Sequence, residues 1–165
     1  MIKIPKLLQS LVALSRFKVG CHLREEIDQQ NLEVRNKCRR CLKFIQECCD
    51  EQVQIEIVKQ GYGRVMSISI CTAGGKGEEQ DEEIYYGLRS IYLFLRELHL
   101  GRYNDWQPSF QPLPLLVRRS EEQMEEEGAN EEIDTQMKNN GLGGGIKSNS
   151  KWAKEVILNH FILGG

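Results

Sequence analysis

An all-α fold is what this sequence predicts, on three observations. The stretch DEEIYYGLRSIYLFLRELHLG (81–101) repeats its apolar residues at Ile84, Tyr85, Leu88, Ile91, Tyr92, Leu95 and Leu98, the three-and-four spacing of one helix face. The cysteine-rich stretch 34–49 repeats the same spacing at Val34, Cys38, Cys41, Leu42, Ile45, Cys48 and Cys49. Glycine turns, GYG at 61–63 and NNGLGGG at 139–145, separate the periodic stretches. At 165 residues, 40% of them hydrophobic, the protein is long enough for one domain with a sizeable core.

Taken in order, residues 3–17 read as a first helix. Ile4, Leu7, Leu8, Leu11 and Val12 share one face, and Pro5 is tolerated in the first turn. Residues 18–30 form a connection or short helix. A helix then runs through NLEVRNKCRRCLKFIQECCDEQ, with Asn31 as N-cap and Glu33 in the first turn. VQIEIVKQ (53–60) is a short helical segment that stops at Gly61. RVMSISIC (64–71) alternates in a way that also fits a strand. TAGGKGEEQ (72–80) reads as a loop before the helix 81–101, which carries acids at its start and Gly101 after its end. RYNDWQPSFQPLPLL (102–116) holds three of the four prolines and is no regular helix. Residues 120–134 are acidic throughout and read as a solvated, mobile loop. A last helix spans about 150–163, with Trp152, Val156, Ile157 and Phe161 as its apolar face.

The six cysteines invite a chemical reading, zinc or redox, and the helix offers a simpler one. On a wheel, Cys38, Cys41, Cys48 and Cys49 take the slots that Leu, Ala or Val fill in an amphipathic helix, and free cysteine behaves as a small hydrophobe. Cys38 and Cys41 lie about 10 Å along the helix from Cys48 and Cys49, too far to close one tetrahedral zinc shell. A thioredoxin-like pair belongs at a helix N-terminus, and this pair is inside one. Buried core is therefore the preferred reading, with zinc or redox chemistry kept as the alternative.

Other motifs are weaker. GLGGGIKS (141–148) lacks the lysine directly after its last glycine, so it reads as a turn and not as a phosphate loop. His22, His99 and His160 are scattered, and no serine or cysteine sits in a nucleophile motif. The acids of 121–132 lack the spacing of a calcium loop. Neither catalytic nor metal-ligating residues nor a cofactor are assigned, and the chain reads as non-enzymatic.

The net charge of -2 excludes a global basic field for nucleic acid. No apolar run reaches the ~18 residues of a membrane span. The basic, acid-poor start MIKIPKLLQSLVALSRFKVGC fits neither a secretory signal nor a lipoprotein cleavage box. Free thiols imply a reducing compartment, cytoplasmic or nuclear, with a mitochondrial destination as the reading that the basic N-terminus would favour.

LEVRNKCRRCLKFIQECCDEQVQIEIVKQGYGRVMSISI (32–71) resembles one armadillo repeat, with IEIVKQGYGRVMSI in place of the short helix, glycine turn and following helix. Tyr62 between the two glycines departs from the family pattern. The resemblance makes helix the preferred state for 64–71. A second, partial copy would run from the helix 82–99 to NEEIDTQMKNNGLGGGI (130–146), where MKNNGLG echoes VKQGYG. The family's Trp and Asn ligand ladder is not matched, since Trp152 and Asn159 are seven apart.

The resemblance implies an armadillo-like right-handed helical stack of about two to three repeats, forming a single domain over 1–165, with 102–149 a long, proline-rich and acidic, partly disordered insertion. It implies a scaffold that binds another protein, of unknown identity, or further repeats of the same solenoid. A fixed structural subunit of a large assembly is the other non-enzymatic alternative. Tyr103, Trp106 and Phe110, on a loop that rarely carries aromatics without packing them against something, and Trp152 on the last helix are the candidate partner-binding residues.

Overall fold

The computed structural model describes residues 4–16, 25–71 and 78–163. Cys21, His22 and most of the expected 72–80 loop lie outside these residues, as do the side chains of Asn159, His160 and Phe161. The described residues are all-helical: α1 (Ile4–Arg16), α2 (Glu25–Cys48), α3 (Glu51–Lys59), α4 (Tyr62–Cys71), α5 (Glu78–Leu100), α6 (Pro114–Glu126), α7 (Ala129–Gln136) and α8 (Gly145–Leu163). Among the described residues the one β-type contact is an isolated antiparallel bridge between Arg102 and Phe110.

Helix α4 is the hub. It touches α1, α2, α3, α5, α6 and α7, and Tyr62, Gly63, Val65, Met66, Ser67, Ser69 and Ile70 are all buried. A helix covered on most sides needs no polar face, which is why its sequence reads ambiguously between helix and strand. Its buried serines turn back on their own helix: Ser67 donates to Gly63 O at 2.8 Å and Ser69 to Met66 O at 2.6 Å. Asp50 caps the start of α3 through Val53 N at 3.2 Å, and the turn from α3 into α4 is made at Gly61, at φ +93, a conformation that costs most other residues.

Helix α5 packs on α4 and α8, with Leu88, Ile91, Phe94, Leu95 and Leu98 fully buried. It ends at Gly101, whose positive φ and N–H to Glu97 O at 2.8 Å terminate the helix, and a Cβ there would lie 2.7 Å from Phe110 O. The proline-rich stretch is non-helical as far as Leu113. It is also ordered by named bonds: the Arg102–Phe110 bridge, Gln107 N to Asn104 Oδ1 at 2.9 Å, and Leu113 N to Leu98 O at 2.8 Å.

Three sequence expectations are corrected. First, the acidic stretch is no loop. Residues 114–126 form α6, which starts on Pro114 and buries Val117, Ser120, Gln123 and Met124; residues 129–136 form α7, which buries Ala129, Ile133 and Gln136. The buried face of α6 holds two polar residues, so the apolar signal is thin. Gln123 fits because its amide is used twice, accepting from Gly63 N at 3.2 Å and donating to Val58 O at 2.9 Å.

Second, the buried face of α2 is turned relative to the expected stripe. Cys38, Arg39, Leu42 and Gln46 are buried, while Val34, Cys41 and Cys48 lie outward and Cys49 is half-buried. Third, Asn31 is no cap, since α2 begins at Glu25, and the last helix begins at Gly145 instead of 150.

Candidate functional site

Arg39, Arg40 and Lys43 sit within one turn of α2 and face the first half of α5. Between the two helices lies a cleft of about 360 Å³, within the range of small binding pockets. Its floor is α4, through Tyr62, Val65, Met66 and Ser69. Its far wall is α5, through Glu82, Glu83, Tyr86, Gly87 and Ser90. Gly87 shapes this wall. A Cβ there would lie 2.6 Å from Ser69 Oγ and 2.8 Å from Ile70 Cγ2, so the missing side chain lets α5 settle directly on α4. Tyr62 anchors the floor edge-on against Phe94, with ring centroids 5.1 Å apart, and burial pushes its phenol well above the ordinary range.

Two contacts cross the mouth. Arg40 meets Glu83 at 3.5 Å, and the Lys43 ammonium lies 5.5 Å from the centroid of the Tyr86 ring. Arg40 is largely exposed, so this ion pair contributes little to stability and yields readily to a ligand. Glu82 and Tyr86 also line a second, open depression between α5 and the start of α8, bounded by Leu142, Gly143 and Gly144. Leu142, at φ +51, is a non-glycine residue in the left-handed region.

The unusual member of the cleft is Arg39. It is 8% exposed, yet among the described residues its hydrogen bonds are only to Asn36 Oδ1 and Ser15 O, both at 3.5 Å, the outer limit for such contacts. Its Nε has no partner among them. Burial, reinforced by Arg35 one turn away, holds its guanidinium below the usual arginine range, and Glu83 opposes this.

Arg102, also buried, likewise has no Nε partner among the described residues, but its two terminal nitrogens are well engaged. It donates to Gln46 O and Cys49 O at 3.0 Å each and to Glu97 Oε2 at 2.7 Å, and it lies 4.8 Å from the centroid of the Phe110 ring. Gln54 Nε2 reaches the same two carbonyls, so the C-terminus of α2 is capped by side chains from α3 and the loop after α5.

The aromatic residues singled out in the sequence do not form one site. Phe110 is 4% exposed and forms the packing surface under Arg102. Tyr103 is 63% exposed and donates to Gln111 Oε1 at 2.9 Å, and Trp106 is 82% exposed on the same loop. Trp152 is 49% exposed on α8, its ring 5.9 Å from that of Tyr92.

Among the described cysteines, burial pushes the Cys38, Cys49 and Cys71 thiols up, the opposite of activation. Among the described residues no three His, Cys, Asp or Glu side chains are grouped so as to hold a metal ion. None of the described helices is long and apolar enough to cross a membrane.

The cleft escapes a sequence reading because the apolar periodicity of α2 puts Arg39 and Arg40 on its solvent face. One signal is present: Gly87 lies inside a strongly helical stretch, where glycine costs about 1 kcal/mol against alanine and so implies a close approach. The protein matches no family model, no curated protein and no solved structure.

Proposed function

We propose that this protein is a non-enzymatic interaction scaffold of armadillo-like type, which holds an extended segment of another protein in the cleft between α2 and α5. The observation that carries the reading is the cleft itself: two long helices face each other across a shorter one, with charged walls and an apolar floor of Val65 and Met66. The order of helix lengths supports it. The long α2 is followed by the short α3 and α4, and the long α5, after α6, by the short α7 and then the 19-residue α8. In this reading α6 is an inserted helix that braces α4 through Gln123.

The test is selection of peptides from a random library against the folded protein, followed by calorimetry with the purified protein and its Ser90→Trp variant. Ser90 lines the cleft, and an indole there would fill it. Peptides that bind one to one and are lost on Ser90→Trp, with the helical signal unchanged, support the reading. Failure to select any binder, or binding indifferent to Ser90→Trp, overturns it.

A second reading, a fixed subunit of a larger assembly, is favoured by one feature. Ile4, Leu7 and Leu14 are exposed along α1, and Ile27 and Val34 are exposed on its neighbour α2. A further helical unit covering this end would bury them. Sedimentation of the protein and of Leu7→Glu/Leu14→Glu tests it: self-association abolished by the two glutamates favours this reading, and a monomer in both cases counts against self-assembly.

A further inference from the structure

We infer that the group recognised in the α2–α5 cleft is a carboxylate, taken by the guanidinium of Arg39; this deepens the reading of the cleft as the interaction site and rests on it. A buried charge without a good partner is costly, and proteins keep such groups where a ligand completes them. Arg39 has five N–H donors. Two of its contacts are stretched to 3.5 Å, and Nε has none among the described residues. Glu83, the acid across the cleft, pairs loosely with Arg40 at the mouth and acts on Arg39 through its charge, with no hydrogen bond between the two among those described. Among the described residues, donor capacity is thus left over on a side chain that lines the cavity.

The charge of the walls selects the ligand. Arg39, Arg40 and Lys43 bring three positive charges and Glu82 and Glu83 two negative ones, leaving one positive charge. A single carboxylate neutralises it. A phosphate dianion would overshoot and face the two glutamates. The planar guanidinium fork suits a carboxylate in two parallel hydrogen bonds. The floor of Val65, Met66 and Tyr62 excludes water beneath the pair, which strengthens it, and offers an apolar bed for the stem that carries the carboxylate. An aspartate or glutamate side chain and the free C-terminus of a polypeptide share this chemistry.

The experiment is NMR of the ¹⁵N-labelled full-length protein, following the Arg39 Nε–H resonance and the Tyr86 and Gly87 amides. The probes are acetate, inorganic phosphate and chloride at matched ionic strength, then two pentapeptides, Ac-Ala-Ala-Glu-Ala-Ala-NH₂ and Ac-Ala-Ala-Ala-Ala-Ala with a free C-terminus. Acetate is expected to move these signals saturably, more than chloride and at lower concentration than phosphate. Arg39→Gln should weaken the effect about tenfold or more. Glu83→Gln, which removes the competing acid and leaves Arg39 in place, should strengthen it and serves if Arg39→Gln does not fold.

Tighter binding of the glutamate peptide than of acetate assigns a side-chain source, and tighter binding of the free C-terminus assigns a terminal one. Saturation by acetate with no gain for either peptide upholds the carboxylate site and overturns the extended-segment reading instead. No response beyond chloride, a stronger response to phosphate, or a response unaltered by either substitution overturns the inference.

Discussion

Replacing each buried arginine by methionine separates a strongly bonded charge from a weakly bonded one. Methionine keeps most of the aliphatic stem and its packing, so the comparison isolates the guanidinium. In Arg102→Met three charge-assisted hydrogen bonds are lost, to Gln46 O, Cys49 O and Glu97 Oε2. Breaking a buried pair costs about 3–5 kcal/mol when the partner is left uncompensated. Here both carbonyls keep Gln54 Nε2, and Glu97, a quarter exposed, keeps Gln46 Nε2 at 3.1 Å. The lower end, about 3 kcal/mol, is expected. It corresponds to a fall of about 6–12 °C in melting temperature for a protein of this length.

Arg39→Met removes a buried charge whose two bonds are at 3.5 Å, and it should leave stability unchanged or raise it by about 0–2 kcal/mol. Urea unfolding followed by circular dichroism at equal slope measures both. If Arg39→Met costs as much as Arg102→Met, Arg39 is satisfied in the folded protein and the cleft has no spare donor for an anion. If Arg102→Met is neutral, the α2 terminus draws nothing from its side-chain cap.

Other expectations follow from the same geometry. Gly87→Ala forces a methyl against Ser69 Oγ and Ile70 and should destabilise by about 1–3 kcal/mol, read by the same unfolding curves; a neutral result would show that α5 can lift from α4 without loss. Gln123→Leu leaves Gly63 N–H and Val58 C=O without their shared partner and should cost about 1–3 kcal/mol in a thermal melt, whereas an unchanged melt would detach α6 from the core. With a thiol reagent at neutral pH, Cys41 and Cys48 should react ahead of Cys38, which burial protects and shifts away from the thiolate; mass mapping of the modified peptides decides the order. The folded Cys38, Cys49 and Cys71 thiols lie above their unfolded values, so their contribution to stability is full below the unfolded thiol pKa of about 8.5 and is lost as pH rises through the folded values. The urea midpoint should therefore decline on the alkaline side, more steeply than in a variant with these three cysteines changed to serine.

The class of the fold is legible in the residues alone, and so is the path of the backbone wherever one face is apolar without interruption. The α5 stripe from Ile84 to Leu98 and the break at Gly101 are local properties, written in periodicity and in the conformational freedom of glycine. The short helix IEIVKQ and its stop at Gly61 are likewise local, whereas the helical state of RVMSI, whose alternation also fits a strand, goes with its burial on several sides.

The placement of polar groups is settled at the tertiary level. Nothing local tells that Gln123 is buried, because its partners, Gly63 and Val58, lie 60 and 65 residues away. In sequence, helix α6 therefore reads as a solvated loop. Nothing local marks Gln46 and Arg39 as the inner face of α2, where the periodicity puts Val34, Cys41 and Cys48. An apolar side group declares its place by the water it avoids, which depends on that group alone. A polar or charged one can be buried only where a distant partner meets it, and that meeting is a property of the assembled fold. The cleft and its underused arginine belong to this second kind.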